Sequence, residues 1–183
     1  MAHVEPIRIA ITGPESSGKT TLTKALSVHY DVPWVSEMAR EFLSRTQGNY
    51  AEHDLVRIAR AQLEEERRVS LDLKGRAPIL LCDTDMITIR IWGQEKFGEA
   101  APEVEAFVQN NPYDLSLLCR PDMPWEADPL RENPHDRDRL FDLYEKALRE
   151  LQRPYSLIEG PHEQRVGAAL AAIGSMLKDR PMR

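Results

Sequence analysis

Residues 7–20, I-R-I-A-I-T-G-P-E-S-S-G-K-T, constrain this chain more than any other stretch. An apolar run ends at Gly13, a second glycine stands at Gly18, and Lys19 and Thr20 follow it directly. The two glycines let the backbone curl so that successive N–H groups point inward. A helix opening at Gly18 aims the positive end of its dipole at the same spot. The pattern G-x-x-x-x-G-K-[ST] between a strand and a helix is that of a phosphate-binding loop. We therefore assign Gly13, Glu15, Ser16, Ser17, Gly18, Lys19, Thr20 and Thr21 to a nucleotide site. Lys19 is placed to bridge the β- and γ-phosphates of ATP, and Thr20 to offer its hydroxyl to Mg²⁺.

The rest of the chain alternates short apolar runs with longer amphipathic ones. "VPWVSE", ending at Glu37, "APILLCD", "YDLSLLC" and "YSLIE" read as four further strands. "APILLCD" is continuous rather than alternating, as expected of a strand covered on both faces. Helices are expected over 18–28, across "MAREFLSRT", and over 52–73, 86–95 and 102–109. A further one, capped by Asn133 or the residues after it, runs to Leu151, and a last one spans 162–177. The "EEERR" run inside the long helix reads as a solvated face.

Such alternation implies right-handed crossovers and a parallel sheet. The expected fold is α/β, of the P-loop NTPase type: a five-stranded, mainly parallel sheet with helices on both faces. The 183 residues suit one domain, 1–183. Ligands of such sheets bind at the carboxyl ends of the strands. That rule gathers Gly13, Glu37, Asp83, Arg120 and Glu159 on one edge.

Composition narrows the partners. A net charge of −6 argues against nucleic acid. Cys82 and Cys119 each lie in an apolar run and read as buried, reduced thiols. No stretch reaches the ~20 apolar residues of a membrane span, and "MAHVEP" has no apolar signal core. The expectation is a cytoplasmic protein acting on a small molecule, with no membrane partner.

Three groups of residues suggest the chemistry. Asp83 ends the strand "ILLCD", where P-loop proteins place the carboxylate that holds Mg²⁺ directly or through water. Asp85 is suited to hold substrate hydroxyls, and either aspartate could instead cap the helix from Met86. Glu37 closes the second strand, where a carboxylate can take the proton of an attacking hydroxyl, a role for which Asp83 competes. The proline-punctuated, mixed-charge segment around 120–139 has the make-up of a lid. Its Arg131 and Arg137 are candidates to meet charge on the transferring phosphoryl group. Trp34 and Trp92 are candidates to stack on an aromatic base, although packing is the default for both. No His or Cys spacing suits a zinc site.

"GPESSGKTTL", "DTD" at 83–85, "YDL" at 113–115, and "PWEADPLR" with a following "DR" at 136–137 appear in this order along the chain. Together they resemble the nicotinamide riboside kinase domain of the NadR-type bacterial NAD-salvage proteins. The resemblance implies phosphorylation of the ribosyl 5′-hydroxyl of nicotinamide riboside by ATP. It implies roles for Lys19, Thr20 and Asp83, and for the lid residues Trp125, Asp128, Arg131 and Arg137. Glu37 and Arg40 match the family's W-E-x-x-R pattern in part: Ser36 stands at its tryptophan, with Trp34 two residues earlier on the same strand face. Proteins of that type carry an adenylyltransferase domain before the kinase, whereas six residues precede the first strand here. The expectation is a chain that stops at the mononucleotide. A kinase of another nucleoside, or a nucleotide-dependent regulatory switch, remains the alternative.

Overall fold

The structure is a computed structural model that describes residues 5–126 and 135–178. Five strands, β1 (Ile7–Thr12), β2 (Trp34–Val35), β3 (Ile79–Asp83), β4 (Leu115–Cys119) and β5 (Tyr155–Ile158), form one sheet in the order β2-β3-β1-β4-β5. Every pairing is parallel, including the central β1–β3 and β1–β4 ladders. Seven helices are described: α1 (Lys19–Tyr30), α2 (Met38–Arg45), α3 (Glu52–Leu73), α4 (Met86–Phe97), α5 (Pro102–Asn110), α6 (Arg137–Glu150) and α7 (His162–Lys178).

The strand pleat divides the core. Ile7, Ile9 and Ile11 of β1 join Ile79, Leu81, Leu115 and Leu117 against Leu22 and Leu26 of α1 and Ala169 and Ile173 of α7. On the other face, Ala10, Leu80 and Cys82 pack on Val69 and Leu73 of α3. Leu118 meets a larger cluster from α3, α4, α5 and α6. The central strands are covered on both faces, so their sequences read as unbroken apolar runs. Both cysteines are buried free thiols.

Two features differ from the sequence expectation. The second strand is shorter than 32–37: only Trp34 and Val35 pair, with Leu81 and Cys82. Pro33 has no N–H to donate, and the chain leaves the sheet edge at Ser36 to start α2. Glu37 is thus the residue that opens α2 rather than the last of a strand. The "EEERR" run is not wholly solvated. The helical period that buries Gln62, Val69 and Leu73 also turns Glu66 inward, leaving it 2% exposed. The Glu66 carboxylate meets Arg8 at 2.5 Å and accepts from the Tyr113 hydroxyl at 2.8 Å. The Arg8 guanidinium lies 4.6 Å from the Tyr113 ring centroid. This cluster ties the amino end of the sheet to α3. Asn133, an expected cap of α6, lies outside the described residues; α6 opens from Asp136, which makes no side-chain cap.

Candidate functional site

The loop between β1 and α1 is built by close approach. Gly13 has φ 132°, and a Cβ there would stand 2.5 Å from the Cys119 carbonyl oxygen at the end of β4. Gly18 has φ 77°, and a Cβ there would meet the Met123 methyl at 2.8 Å. No L side chain suits either place. The Ser17 hydroxyl donates to the Pro14 carbonyl at 2.7 Å. The Lys19 ammonium donates to the carbonyls of Gly13 and Pro14 at 2.9 and 2.8 Å, curling over the loop it follows. Thr20 and Thr21 line, with the loop itself, a cavity that opens in front of it.

Two arginines hold this loop from outside it. Arg165 of α7 is 2% exposed; it donates to the carbonyls of Ser17 at 3.0 Å, Gly160 at 2.7 Å and Arg120 at 2.8 Å, and pairs with Asp122. It thereby joins the phosphate loop to the carboxyl ends of β4 and β5. Arg137, opening α6, donates to the carbonyls of Ser16 at 3.2 Å and Met123 at 2.9 Å and lies over the Trp125 ring. Arg120 is turned to Glu159 at 3.2 Å and to the Phe141 ring.

At the end of β3, Asp83 accepts from the Thr20 hydroxyl at 2.6 Å through Oδ2, while its buried Oδ1 has no partner. A hydroxyl and a carboxylate with a spare oxygen suit a hard cation such as Mg²⁺, which binds through few protein ligands and keeps waters and phosphates as the rest. Among the described residues no group of three or more His, Cys, Asp or Glu could hold a metal by itself. Burial pushes the Asp83 carboxyl above its ordinary range, opposed by the Thr20 hydrogen bond and the Lys19 charge. Thr84 follows with φ 89°, a conformation costly for a β-branched residue. Its hydroxyl is also buried without a partner.

Glu37 lines the same cavity, with Lys19, Arg40, Asp83 and Glu15 as its charged neighbours. Burial raises its carboxyl above the ordinary value, Lys19 and Arg40 pull it back, and Asp83 and Glu15 push the other way. A second cavity of about 450 Å³ adjoins the first and is lined in part by Tyr50, Ile91, Lys96 and Leu140. Glu15, Leu43, Trp92 and Tyr144 line both cavities. Tyr50 packs near Trp92 and edge-on to Phe97, and the Lys96 ammonium sits 3.5 Å from the Tyr50 ring centroid.

The sequence candidates distribute unevenly over this geometry. The phosphate-loop residues, Glu37, Arg40 and Trp92 line the loop cavity, and Asp83 reaches it through Thr20. Trp34 does not line either cavity; it packs on the α1–α7 side, against the cluster of Val32 and Leu26. Asp85 is fully buried and caps α4, accepting from Thr88 N at 2.9 Å. Trp125 lies under Arg137 rather than in a cavity wall. Asp128 and Arg131 lie outside the described residues.

Residues 8–165 match the AAA_28 family, described as an AAA domain. The chain belongs to this family. The chain is 27% identical over 150 residues to the trifunctional NAD biosynthesis/regulator protein NadR of Salmonella typhimurium, covering 78% of this chain and 35% of that protein. It is 28% identical over 137 residues to the NadR protein of Escherichia coli, covering 72% and 32%. The chain thus spans about a third of the length of these relatives. A crystal structure of NadR protein in complex with NR superposes with a TM-score of 0.72 at 19% identity, over 97% of this chain and 53% of that one. Another, in complex with NAD and AMP-PNP, gives 0.76 at 20% identity, over 97% and 51%. The P-loop fold is shared with both.

Several residues of the site carry no local sequence signal. Arg165 contacts Ser17 across 148 positions, and only the closed sheet brings them together. Tyr144 sits in the buried stripe Leu140, Phe141, Tyr144, Ala147 and Leu148 of α6, which reads as ordinary core. Thr88 resembles any residue of an apolar helix.

Proposed function

We propose that this AAA_28 chain is an ATP-dependent kinase acting on the 5′-hydroxyl of nicotinamide riboside and yielding nicotinamide mononucleotide. The observation that carries the reading is the common wall of the two cavities. Trp92 and Tyr144 belong to both, so a compound in the larger cavity faces the phosphate loop directly. A cavity of about 450 Å³ is ample for a nucleoside. The choice of acceptor is supported by relatives named for NAD biosynthesis and by a structural neighbour that holds NR.

In this mechanism the loop N–H groups and Lys19 hold the β- and γ-phosphates, Lys19 exchanging the Gly13 and Pro14 carbonyls for phosphate oxygens. Thr20 and Asp83 would hold Mg²⁺, which when bound would neutralise charge on the phosphates. The acceptor base lies along Trp92, with Arg40 at the rim of the loop cavity. Glu37 takes the proton of the acceptor hydroxyl as its oxygen bonds to the γ-phosphorus. The bond from that phosphorus to the bridging oxygen breaks, and the electron pair leaves with ADP. The raised pKa of Glu37 makes it a stronger base than an exposed glutamate. Arg137, and Arg131 outside the described residues, meet the charge spread over the transferring oxygens, with Trp125 and Asp128 belonging to the same closing segment.

The test is product identity. Incubation with MgATP and nicotinamide riboside should give ADP and a riboside 5′-monophosphate in equal amounts by mass spectrometry. ADP without a phosphorylated riboside would refute the assignment.

A further inference from the structure

The buried stripe of α7 opens on a charge where packing alone needs none. Arg165, Ala169 and Ile173 follow one another at intervals of one helical turn, and Ala169 and Ile173 join the apolar cluster of β1 and α1. A guanidinium in the first of these places, 2% exposed, is costly to bury, and a buried ion pair is weak support for a fold. Its contacts run to the site rather than to the core. Nε donates to the Gly160 carbonyl at 2.7 Å, Nη1 to the Ser17 carbonyl at 3.0 Å, and Nη2 to the Arg120 carbonyl at 2.8 Å. Nη2 also pairs with Asp122, whose other oxygen accepts from the Gly160 N–H at 2.6 Å. The mechanism above gives Arg165 no part.

Where the Ser17 carbonyl points decides where the next N–H points. A trans peptide is planar, with its C=O and N–H directed oppositely. Ser17 and Gly18 line the phosphate-loop cavity, and Arg165 does not. The bond to Arg165 thus draws the Ser17 oxygen away from the cavity and turns the Gly18 N–H toward it. Gly18 can follow because its φ of 77° carries no Cβ penalty. We propose that Arg165 is a positioning residue for nucleotide binding, holding the Ser17–Gly18 peptide so that its N–H meets the phosphates. The inference rests on the nucleotide reading of the loop. Arg165 acts through Ser17 and does not itself touch phosphate. The planar fork suits the task, because its acceptors come from the loop, from the end of β4 and from the turn after β5. A lysine offers a single point donor in its place. Asp122 balances the charge, while the carbonyl bonds set the geometry. A loop whose N–H groups are already aimed loses less freedom when phosphate binds.

The test separates affinity from stability in the full chain. The Kd for MgATP is measured by titration calorimetry with no acceptor present, beside the melting temperature. Wild type is compared with Arg165→Lys, Arg165→Gln and Asp122→Asn. Both Arg165 variants should raise the Kd for MgATP about tenfold or more. Asp122→Asn removes the charge pair and leaves the carbonyl bonds to Ser17, Gly160 and Arg120 in place. It should lower the melting temperature and keep the Kd within about twofold. A folded Arg165→Lys or Arg165→Gln with wild-type affinity would overturn the inference. So would a Kd that rises in all the variants in step with the fall in melting temperature, which is what a purely structural arginine gives. If neither Arg165 variant folds, the Nη protons of Arg165 in wild type decide. The inference requires them to exchange slowly with water both with and without MgATP, and fast exchange with MgATP bound would overturn it. No binding of MgATP by wild type would instead overturn the nucleotide reading itself.

Discussion

Two buried polar clusters stand at opposite ends of the sheet, and they are finished differently. At the amino end, Glu66 has both oxygens engaged, one by Arg8 and the other by Tyr113 and Gln62. At the carboxyl end, Asp83, Thr84 and Asp85 follow one another, and each keeps one buried oxygen without a partner. Thr84 adds a left-handed backbone at φ 89°. Buried polar atoms are normally satisfied, and strain and missing partners gather where a ligand completes the set. The first cluster is completed within the fold, and the second is the one we propose a ligand completes. A mutation should separate them: stability should respond at one end and turnover at the other.

Glu66→Ala should have the largest effect. It leaves the buried Tyr113 hydroxyl and the partly exposed Arg8 guanidinium without their acceptor and should cost about 3 kcal/mol, read by chemical denaturation, with kcat little changed in the folded fraction. Lys19→Ala comes next. It should lower kcat by about 10²–10³-fold, the scale for removing one donor to developing charge, and leave the melting temperature within error. A loss of stability as large as that of Glu66→Ala would erase the distinction between the two ends.

Asp83→Asn sharpens it further. Because burial raises the folded-state pKa of Asp83, its neutral form is the one the fold favours. That stability is present below the ordinary value of 3.8 and is lost as pH rises through the raised value. An amide stays neutral, so the variant should be more stable at neutral pH by about 1 kcal/mol. It should also lose the dependence of nucleotide affinity on Mg²⁺. Unchanged Mg²⁺ dependence would remove Asp83 from the metal site. The smallest effect is a displacement in pH. Glu37 must be ionised to take a proton, and its pKa is raised above 4.5. The acid limb of kcat should therefore fall at a higher pH than an exposed glutamate gives, and Glu37→Gln should abolish transfer while still binding ATP. Full transfer by that variant would move the base role to Asp83.

What the sequence makes legible follows the distance over which its residues act. The phosphate loop is eight contiguous residues whose glycines meet a steric demand, so spacing alone identifies it. The sheet is legible because strands covered on both faces cannot hide their apolar runs. Trp34 misleads because strand two ends after two residues, and the pleat turns the ring to α1 and α7 rather than to the cleft. Asp85 carries two possible roles in sequence, cap and ligand, and only the structure shows the bond to Thr88 that makes it the cap. The helical period could have picked out Glu66, since it falls in step with Gln62 and Leu73, but a run of charges obscures one inward member. Arg165 and Tyr144 act through contacts that no local pattern encodes. The AAA_28 match and the NadR relatives speak to the fold and the loop, and the acceptor site rests on the cavity geometry.

Acceptor-dependent ADP formation tests the central claim most directly. The purified chain would be given MgATP alone, then MgATP with each of a panel of nucleosides that includes nicotinamide riboside. The account predicts little ADP without acceptor and strong, saturable turnover with nicotinamide riboside. ATP binding with no acceptor-dependent turnover on any nucleoside would contradict it and favour a nucleotide-dependent switch.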